Sequence, residues 1–308
     1  MVLICADPSE AVAAFFCSRL KMLRIDHQIL DLRDATDTLS IQWSPHDGSP
    51  SGSISFADWT VNFDELTGVY FRNVPFDDLS DETGDPIDNA YPRIDPQIAA
   101  ALNGLQCRVV NRPAATYSNR SKPYQSLMIR QIGFGIPKTL ITNEPRAARQ
   151  FYYECEGKVV RKSLSGVRSI VRRMNEKDLD GLALLEQGPA QFQEYLPGDN
   201  IRVHVVGERL FAVRIQCDAV DYRYAGQEGY ARRMIPAKLH EDLETNCVRL
   251  AKEFGLAMAG IDLKETPAGE YFCFEVNTSP AFPFYESVAR PVIADALAEF
   301  LAGSDGEK

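Results

Sequence analysis

Residues 260–280, GIDLKETPAGEYFCFEVNTSP, constrain this chain more than any other stretch. They read as two strands, 261–264 and 270–276, closed by a turn at 266–269. Side chains two apart on a strand share a face, so Glu275 and Asn277 point the same way, and Asp262 can lie opposite them if the strands pair. Two carboxylates and an amide oxygen at one spot suit a hard cation such as Mg²⁺, which keeps waters and takes phosphate oxygens into its remaining positions. The alternative is the polar solvent face of an ordinary hairpin. Against it stands the apolar character of the second strand (Tyr271, Phe272, Cys273, Phe274, Val276), which runs into Ser279-Pro280 and an aromatic group.

At 308 residues the chain has room for two domains or three small ones, and 45% hydrophobic with 25% charged residues is ordinary globular composition. No window is apolar for long enough to span a bilayer. The start, MVLICADPSE, lacks a basic flank and reads as a first strand, not a signal peptide. The seven cysteines are scattered without a CxxC pair, which predicts reduced thiols and a cytoplasmic location. The four histidines show no metal-ligand spacing. A net charge of −10 disfavours nucleic acid and anionic membranes as partners but leaves room for a local basic site.

In chain order, the pattern predicts a strand at 2–6, a helix at 9–23 capped by Ser9, and a strand at 25–30, a β-α-β start typical of an open α/β sheet. No glycine-rich dinucleotide fingerprint follows the first strand. Short strands of a meander follow at 54–56 and 59–63, then a buried strand, 68–72, ending in Arg72. Arg72 either meets an anionic substrate or pairs with Asp77 or Asp78. An acidic, proline-bearing loop or lid spans 77–96. Helices are predicted at 96–105, 121–133 and 145–155, and strands at 107–110, around 138–140 and at 157–162. Strand–helix–strand then repeats with 178–185, 191–195 and 201–216. Composition places boundaries near residues 110 and 188, giving units 1–110, 111–188 and 189–308.

Three further stretches carry candidate chemistry. At 158–168 a strand ends in Lys162 and enters a Ser/Gly loop with Ser165 and Gly166. Lysine and loop N–H groups can hold phosphates, or the strand is a charged, protected edge. Alternation puts Val160 and Lys162 on one face and Arg161 on the other. Residues 191–198, QFQEYLPG, read as a strand leading into a connector where Glu194 and backbone groups can meet a nucleoside, or as an ordinary strand exit. Residues 199–216 form two strands around a Gly207-Glu208 turn and carry Arg202 and Arg214, either solvated or placed to stabilise a transferring phosphoryl group.

Taken in order, Lys122 before a helix, Lys162 before a small loop, QEYL (193–196), NIRV (200–203), GIDL (260–263) and FEVN (274–277) resemble the ATP-grasp superfamily over roughly residues 100–300. The branch resembled is that of RimK-type and glutathione-synthetase-like ligases. Within it, YFRNV (70–74), IGFGIPKTLITNEP (132–145), KSLSG (162–166), FQEYLPG (192–198) and VDYR (220–223) are most similar to microviridin-type graspetide peptide ligases.

The resemblance implies a mixed α/β ATP-grasp fold: an N-terminal pre-ATP-grasp α/β domain, a small central lid domain and a C-terminal antiparallel-sheet lobe. It implies that ATP phosphorylates a carboxylate to an acyl phosphate, which an amine or hydroxyl attacks, with ATP and Mg²⁺ (or Mn²⁺) as cofactors. By motif, Lys122 and Lys162, with Ser165 and Gly166, would hold phosphates. Glu194, Tyr195 and Leu196 would meet adenine, and Asp199 or Asn200 the ribose. Asp262, Glu275 and Asn277 would hold the metal, and Arg202 and Arg214 would steady the γ-phosphate and acyl phosphate. No covalent enzyme nucleophile is required.

A basic-aromatic loop, Asp221 to Tyr224 and 227–233, is expected on the acceptor side, with Arg223, Arg232 and Arg233, together with Arg72, as candidate contacts for an acidic peptide. Its tyrosines serve equally well as packing residues. Three readings follow: a peptide ligase, a ligase of free amino acids or another small carboxylate, or an ATP-binding regulatory protein without turnover. A homodimer is compatible with each.

Overall fold

The structure, a computed structural model, describes residues 1–33, 39–44, 51–72, 96–162, 171–226, 229–288 and 293–303. The chain opens with a parallel sheet ordered β2-β1-β6-β7, from β1 (Val2–Ala6), β2 (His27–Asp31), β6 (Gly68–Phe71) and β7 (Arg108–Val110). All five residues of β1 are buried. Val2, Ile4 and Ala6 face α1 (Ala11–Met22), while Leu3 and Cys5 face α2 (Pro96–Gly104), so both sides of the sheet are covered, as parallel sheets require. A three-stranded meander, β3 (Ser40–Ser44), β4 (Ser51–Phe56) and β5 (Trp59–Asn62), packs Ile54, Phe56 and Val61 into the second of these layers.

Glu10, not Ser9, caps α1: its Oε2 accepts from Val12 N and Ala13 N at 3.0 and 2.9 Å. Ser9 instead donates to Asp7 Oδ1. The buried stripe of α1 is Val12, Ala13, Phe16, Cys17 and Leu20, which leaves Phe15 and Leu23 exposed.

The central unit is an antiparallel sheet ordered β10-β9-β11-β8, from β8 (Thr139–Thr142), β9 (Val159–Lys162), β10 (Arg172–Arg173) and β11 (Ala190–Glu194). α3 (Lys122–Gln131) precedes it, and α4 (Pro145–Glu154) packs on it with a 3₁₀ segment, Glu176–Gln187. That segment occupies the place expected to continue a strand–helix–strand repeat. Because β11 pairs with both β8 and β9, the central sheet runs through Glu194, past the boundary that composition placed near 188.

The C-terminal sheet is ordered β14-β13-β12-β15-β16, antiparallel throughout: β12 (Asp199–Val206), β13 (Arg209–Cys217), β14 (Arg232–Pro236), β15 (Met258–Glu265) and β16 (Tyr271–Asn277). α5 (Glu241–Glu253) covers one face, against Ile201, Val203, Val205, Ile261 and Leu263. The final helix, α6 (Ile293–Ala302), packs between this sheet's other face and the N-terminal sheet, joining Val213 and Ile215 to Ile4 and Phe16 in one core. Gly68 is required here, because a Cβ on it would lie 2.5 Å from Leu301 O. No helix among the described residues is long and apolar enough to cross a membrane.

Candidate active site

The hairpin of β15 and β16 forms with Asp262 directly opposite Glu275 and Gly260 opposite Asn277. A bulge after Asp262 sets Leu263 against Cys273, so Phe274 is left over and lines the cleft beside Glu275. The two carboxylates and the Asn277 amide therefore share one face. Asn277 Oδ1 accepts from Ser279 N at 2.9 Å, which fixes the orientation of the amide.

This face forms one wall of a cleft of about 440 Å³. The facing wall comes from the central sheet: Val160 and Lys162 from β9, then Gln193, Glu194, Tyr195 and Leu196 at the end of β11. Arg161 is exposed on the opposite side of β9, as alternation predicts.

Lys122, Lys162 and Arg202 are each matched to an acceptor at the cleft. Lys122, the first residue of α3, is ion-paired with Glu275. Its position is set one turn on, where Gln125, fully buried, adds a rung to the hairpin: Nε2 donates to Val276 O (2.7 Å) and Oε1 accepts from Val276 N (2.9 Å). Lys162 Nζ donates to Gln193 Oε1 at 2.9 Å, and Gln193 Nε2 donates in turn to Thr139. Arg202 lies opposite Asp262 on β12 and donates to its Oδ1 at 2.7 Å. Gly260 makes space for that guanidinium, since a Cβ there would collide with it.

Burial pushes the Glu275 carboxyl up, but Lys122, Lys162 and Arg202 outweigh it and hold the group below its ordinary value. Burial draws the Lys162 ammonium down. His204, beyond Arg202 on the same face, is fully buried; burial and the Arg202 charge keep it neutral. Tyr222 and Tyr285 close this end of the cleft with their hydroxyls 3.1 Å apart, both phenols pushed up by burial.

Several expected site residues stand elsewhere. Arg214 pairs across from Ile201, on the face of the sheet opposite Arg202, and binds Asp199 (3.1 Å) and Glu265. Neither Arg214 nor Asp199 lines the cleft; strand alternation turns both away from it. Asn200 does line it. Arg72 is 4% exposed and forms a two-bond pair with Glu10, both contacts 2.8 Å, while its Nη1 reaches Ser279 O, Ser279 Oγ and Pro280 O at 3.2–3.4 Å. It joins the N-terminal sheet to the end of the hairpin and has no face left for a substrate. Arg223 and Arg232 line the cleft; Arg223 is bound by Asp221, and Arg232 lies 4.4 Å over the Phe284 ring. Arg232 and Arg233 begin strand β14 instead of lying in a loop, and Arg233, next in the alternation, is outside the cleft lining. Ser165, Gly166, Asp77, Asp78 and all but the last residue of the loop or lid expected at 77–96 lie outside the described residues.

Sequence reasoning passed over Lys264, Gln193, Phe274 and Tyr285, all in the cleft wall. Lys264 was accessible to it, being two residues from Asp262 and so on the same face. The Gln193–Lys162 contact depends on the pairing of β9 with β11.

The donor set fits a hard cation: two carboxylates and an amide oxygen, with no soft ligand among them. Among the described residues no group of three His, Cys, Asp or Glu gathers around one point, so an ion here would complete its shell with phosphate oxygens and water.

Comparison with known proteins agrees with this geometry. A model of the RimK-like ATP-grasp domain matches residues 118–301. A probable alpha-L-glutamate ligase 1 of Shewanella denitrificans is 27% identical over 203 residues, covering 62% of this chain and 68% of its own. A probable alpha-L-glutamate ligase of Azotobacter vinelandii is 25% identical over 240 residues, 71% of this chain and 78% of its own. Among solved structures, the ATP-grasp ligase PsnB complexed with minimal precursor superposes with a TM-score of 0.79 at 25% identity, over 99% of this chain and 98% of that one. The macrocyclase MdnC bound with precursor peptide MdnA, from Microcystis aeruginosa MRC, superposes with a TM-score of 0.77 at 24% identity, over 99% and 100%. With more than half its length matched by the family model, a cleft between two antiparallel sheets and two carboxylates opposed across a hairpin, the chain belongs to the RimK-like ATP-grasp family of ATP- and Mg-using ligases.

Proposed function

We propose that this enzyme activates a carboxylate of a peptide as an acyl phosphate and joins it to an amine or hydroxyl, releasing ADP and phosphate. The observation that carries this reading is the opposition of Asp262, Glu275 and Asn277 to Lys162 and Arg202 in one cleft, with Lys122 held on Glu275. Mg²⁺, with Mn²⁺ as a substitute, would supply charge neutralisation for the nucleotide phosphates. Asp262, Glu275 and Asn277 would hold it, and Lys122, released from Glu275, would turn to the phosphates with Lys162. Arg202, anchored by Asp262, would stabilise charge on the transferring phosphoryl group. Glu194, Tyr195 and Leu196 would line the base end. Ser165 and Gly166 are proposed to cover the phosphates from the loop after β9. Arg223 and Arg232 would receive an acidic peptide at the far end. Catalysis then rests on positioning and charge, with no covalent enzyme intermediate. Units of 1–110, 111–194 and 195–308 are proposed as the N-terminal, central and C-terminal parts.

The peptide reading is supported by near end-to-end likeness to PsnB, solved with its precursor. A free amino acid as acceptor or donor is the second reading, supported by relatives called alpha-L-glutamate ligases. The test is ADP release with Mg²⁺ and a peptide bearing acidic and Ser/Thr/Lys side chains, followed by mass spectrometry. Loss of one water per bond formed supports the peptide reading; ligation of free glutamate alone supports the second. ADP release independent of any carboxylate and of Mg²⁺ overturns both. Glu275→Gln is expected to abolish turnover while leaving the protein folded, and wild-type turnover in that variant would remove the metal assignment.

A further inference from the structure

One cation in the cleft is not used by the reaction above. Lys264 is 9% exposed and lines the cleft, yet among the described residues it makes no hydrogen bond and no ion pair. Its ammonium lies 5.8 Å from the centre of the Tyr195 ring, and the Asp199 carboxylate acts on it only through space. The neighbouring cations are different: Lys122 has Glu275, Lys162 has Gln193, Arg202 has Asp262 and Arg223 has Asp221. The Lys264 stem is buried while the ammonium opens into the cleft with no hydrogen-bond acceptor on it, so a lysine kept in this position points to acceptors that arrive with a ligand.

The register says which part of the ligand. On the cleft face of β12 and β15, Arg202 sits opposite Asp262, and the preceding rung pairs Asn200 with Lys264. The Arg202–Asp262 rung adjoins the metal ligands and so belongs to the phosphates. The Asn200–Lys264 rung lies one step nearer the connector, where Tyr195 and Leu196 line the base end. Between base and phosphates a nucleotide carries its ribose. Of the two residues that the family resemblance implies at the ribose, Asp199 or Asn200, Asp199 is turned to the other face and held by Arg214, while Asn200 lines the cleft. What remains at this level is an ammonium, which only donates, beside a carboxamide, which donates and accepts. Directly opposed residues on paired strands bring their side chains close enough to act on one group.

We propose that Lys264 and Asn200 together hold the ribose diol of the bound nucleotide, Lys264 donating to the hydroxyl oxygens and Asn200 accepting from one hydroxyl. This rests on the reading of the cleft as the nucleotide site and adds to it a specificity residue for the sugar.

The experiment measures binding of ADP and of 2′,3′-dideoxy-ADP to the wild-type protein, Lys264→Met and Lys264→Gln by calorimetry with Mg²⁺ present. Methionine keeps the apolar stem and removes the donor. The wild type is expected to prefer ADP by about tenfold or more, the scale of a hydrogen bond to a charged donor. In Lys264→Met the preference falls to within about twofold, while affinity for the dideoxy nucleotide stays near the wild-type value, as a specific coupling requires. A Met variant that keeps the preference, or that loses affinity equally for both nucleotides, overturns the assignment; equal loss marks a contact to base or phosphate. Thermal melting accompanies each variant. If Met proves unfolded, Lys264→Arg retaining the preference while Lys264→Gln loses it supports the assignment, and the same preference in both overturns it. Failure of the wild type to bind either nucleotide overturns the nucleotide reading of the cleft itself.

Discussion

Replacing Arg72 by Met separates two roles that an arginine at a strand end can have. In the fold Arg72 is a clamp: buried, bound twice to Glu10 and directed at the Ser279 and Pro280 carbonyls. Methionine matches the apolar stem and removes the charge. Breaking a buried ion pair by deleting one partner costs about 3–5 kcal/mol, chiefly through the charge left behind. Here the orphan would be Glu10, whose side chain is 23% exposed and still accepts from the first turn of α1, so part of its hydration is recovered. The lower end, about 3 kcal/mol, is therefore expected, roughly a hundredfold in the folding equilibrium. In urea titration at a slope of about 3 kcal/mol/M, the midpoint falls by about 1 M.

The pair also predicts a pH dependence. Burial raises the Glu10 carboxyl, but Arg72 and the N–H groups of Ala13 and Val12 bring it below its ordinary 4.5. A group lowered on folding stabilises above its unfolded pKa, and that contribution is lost as pH falls through the folded value. The deficit of Arg72→Met relative to wild type should then be full near neutrality and shrink in acid below about pH 4. An unchanged urea midpoint together with a raised KM for the carboxylate substrate would refute the clamp and return Arg72 to the substrate side.

Two further substitutions test how the site is held. Gln125→Leu removes both bonds to Val276 and leaves a buried N–H and C=O unpaired; a loss of about 2 kcal/mol is expected by denaturation, with a lower kcat because Lys122 and Glu275 lose their common anchor. Gly260→Ala places a Cβ against the Arg202 guanidinium and 2.7 Å from Pro280 Cβ, so kcat should fall by about tenfold or more through displaced charge, an effect of the size seen when one transition-state donor is weakened, while an unchanged kcat would show that Arg202 has another position available.

Much of the site was legible because strand chemistry has a period of two. Glu275 and Asn277 fall on one face from spacing alone and Asp262 joins them if the two strands pair, and the structure puts all three in the cleft wall. The same rule, carried further, separates Arg202 from Arg214. A turn at Gly207-Glu208 makes Val206 and Arg209 partners, which sets Arg202 opposite Val213 and turns Arg214 to the other face. It also separates Asp199 from Asn200 and adds Lys264 to Asp262. Which of these side chains face the cleft depends on the register carried across the whole sheet, not on the spacing within one strand.

By itself, then, the sequence determined the local periods: which segments are strands, where they turn, and which side chains share a face within one strand. The tertiary structure alone decided which faces meet. Arg72 finds Glu10 across 62 positions and Ser279 across 207, and Gln125 finds the backbone of Val276 across 151. Such pairings depend on how whole sheets and helices pack, a cooperative result of burying apolar faces such as those of α1, α5 and α6. No local spacing encodes them. The hairpin 260–280 carries its own pair of carboxylates and an amide, but Gln125 and Lys122 from α3, Arg202 from β12 and the facing wall of the central sheet make it one side of the cleft.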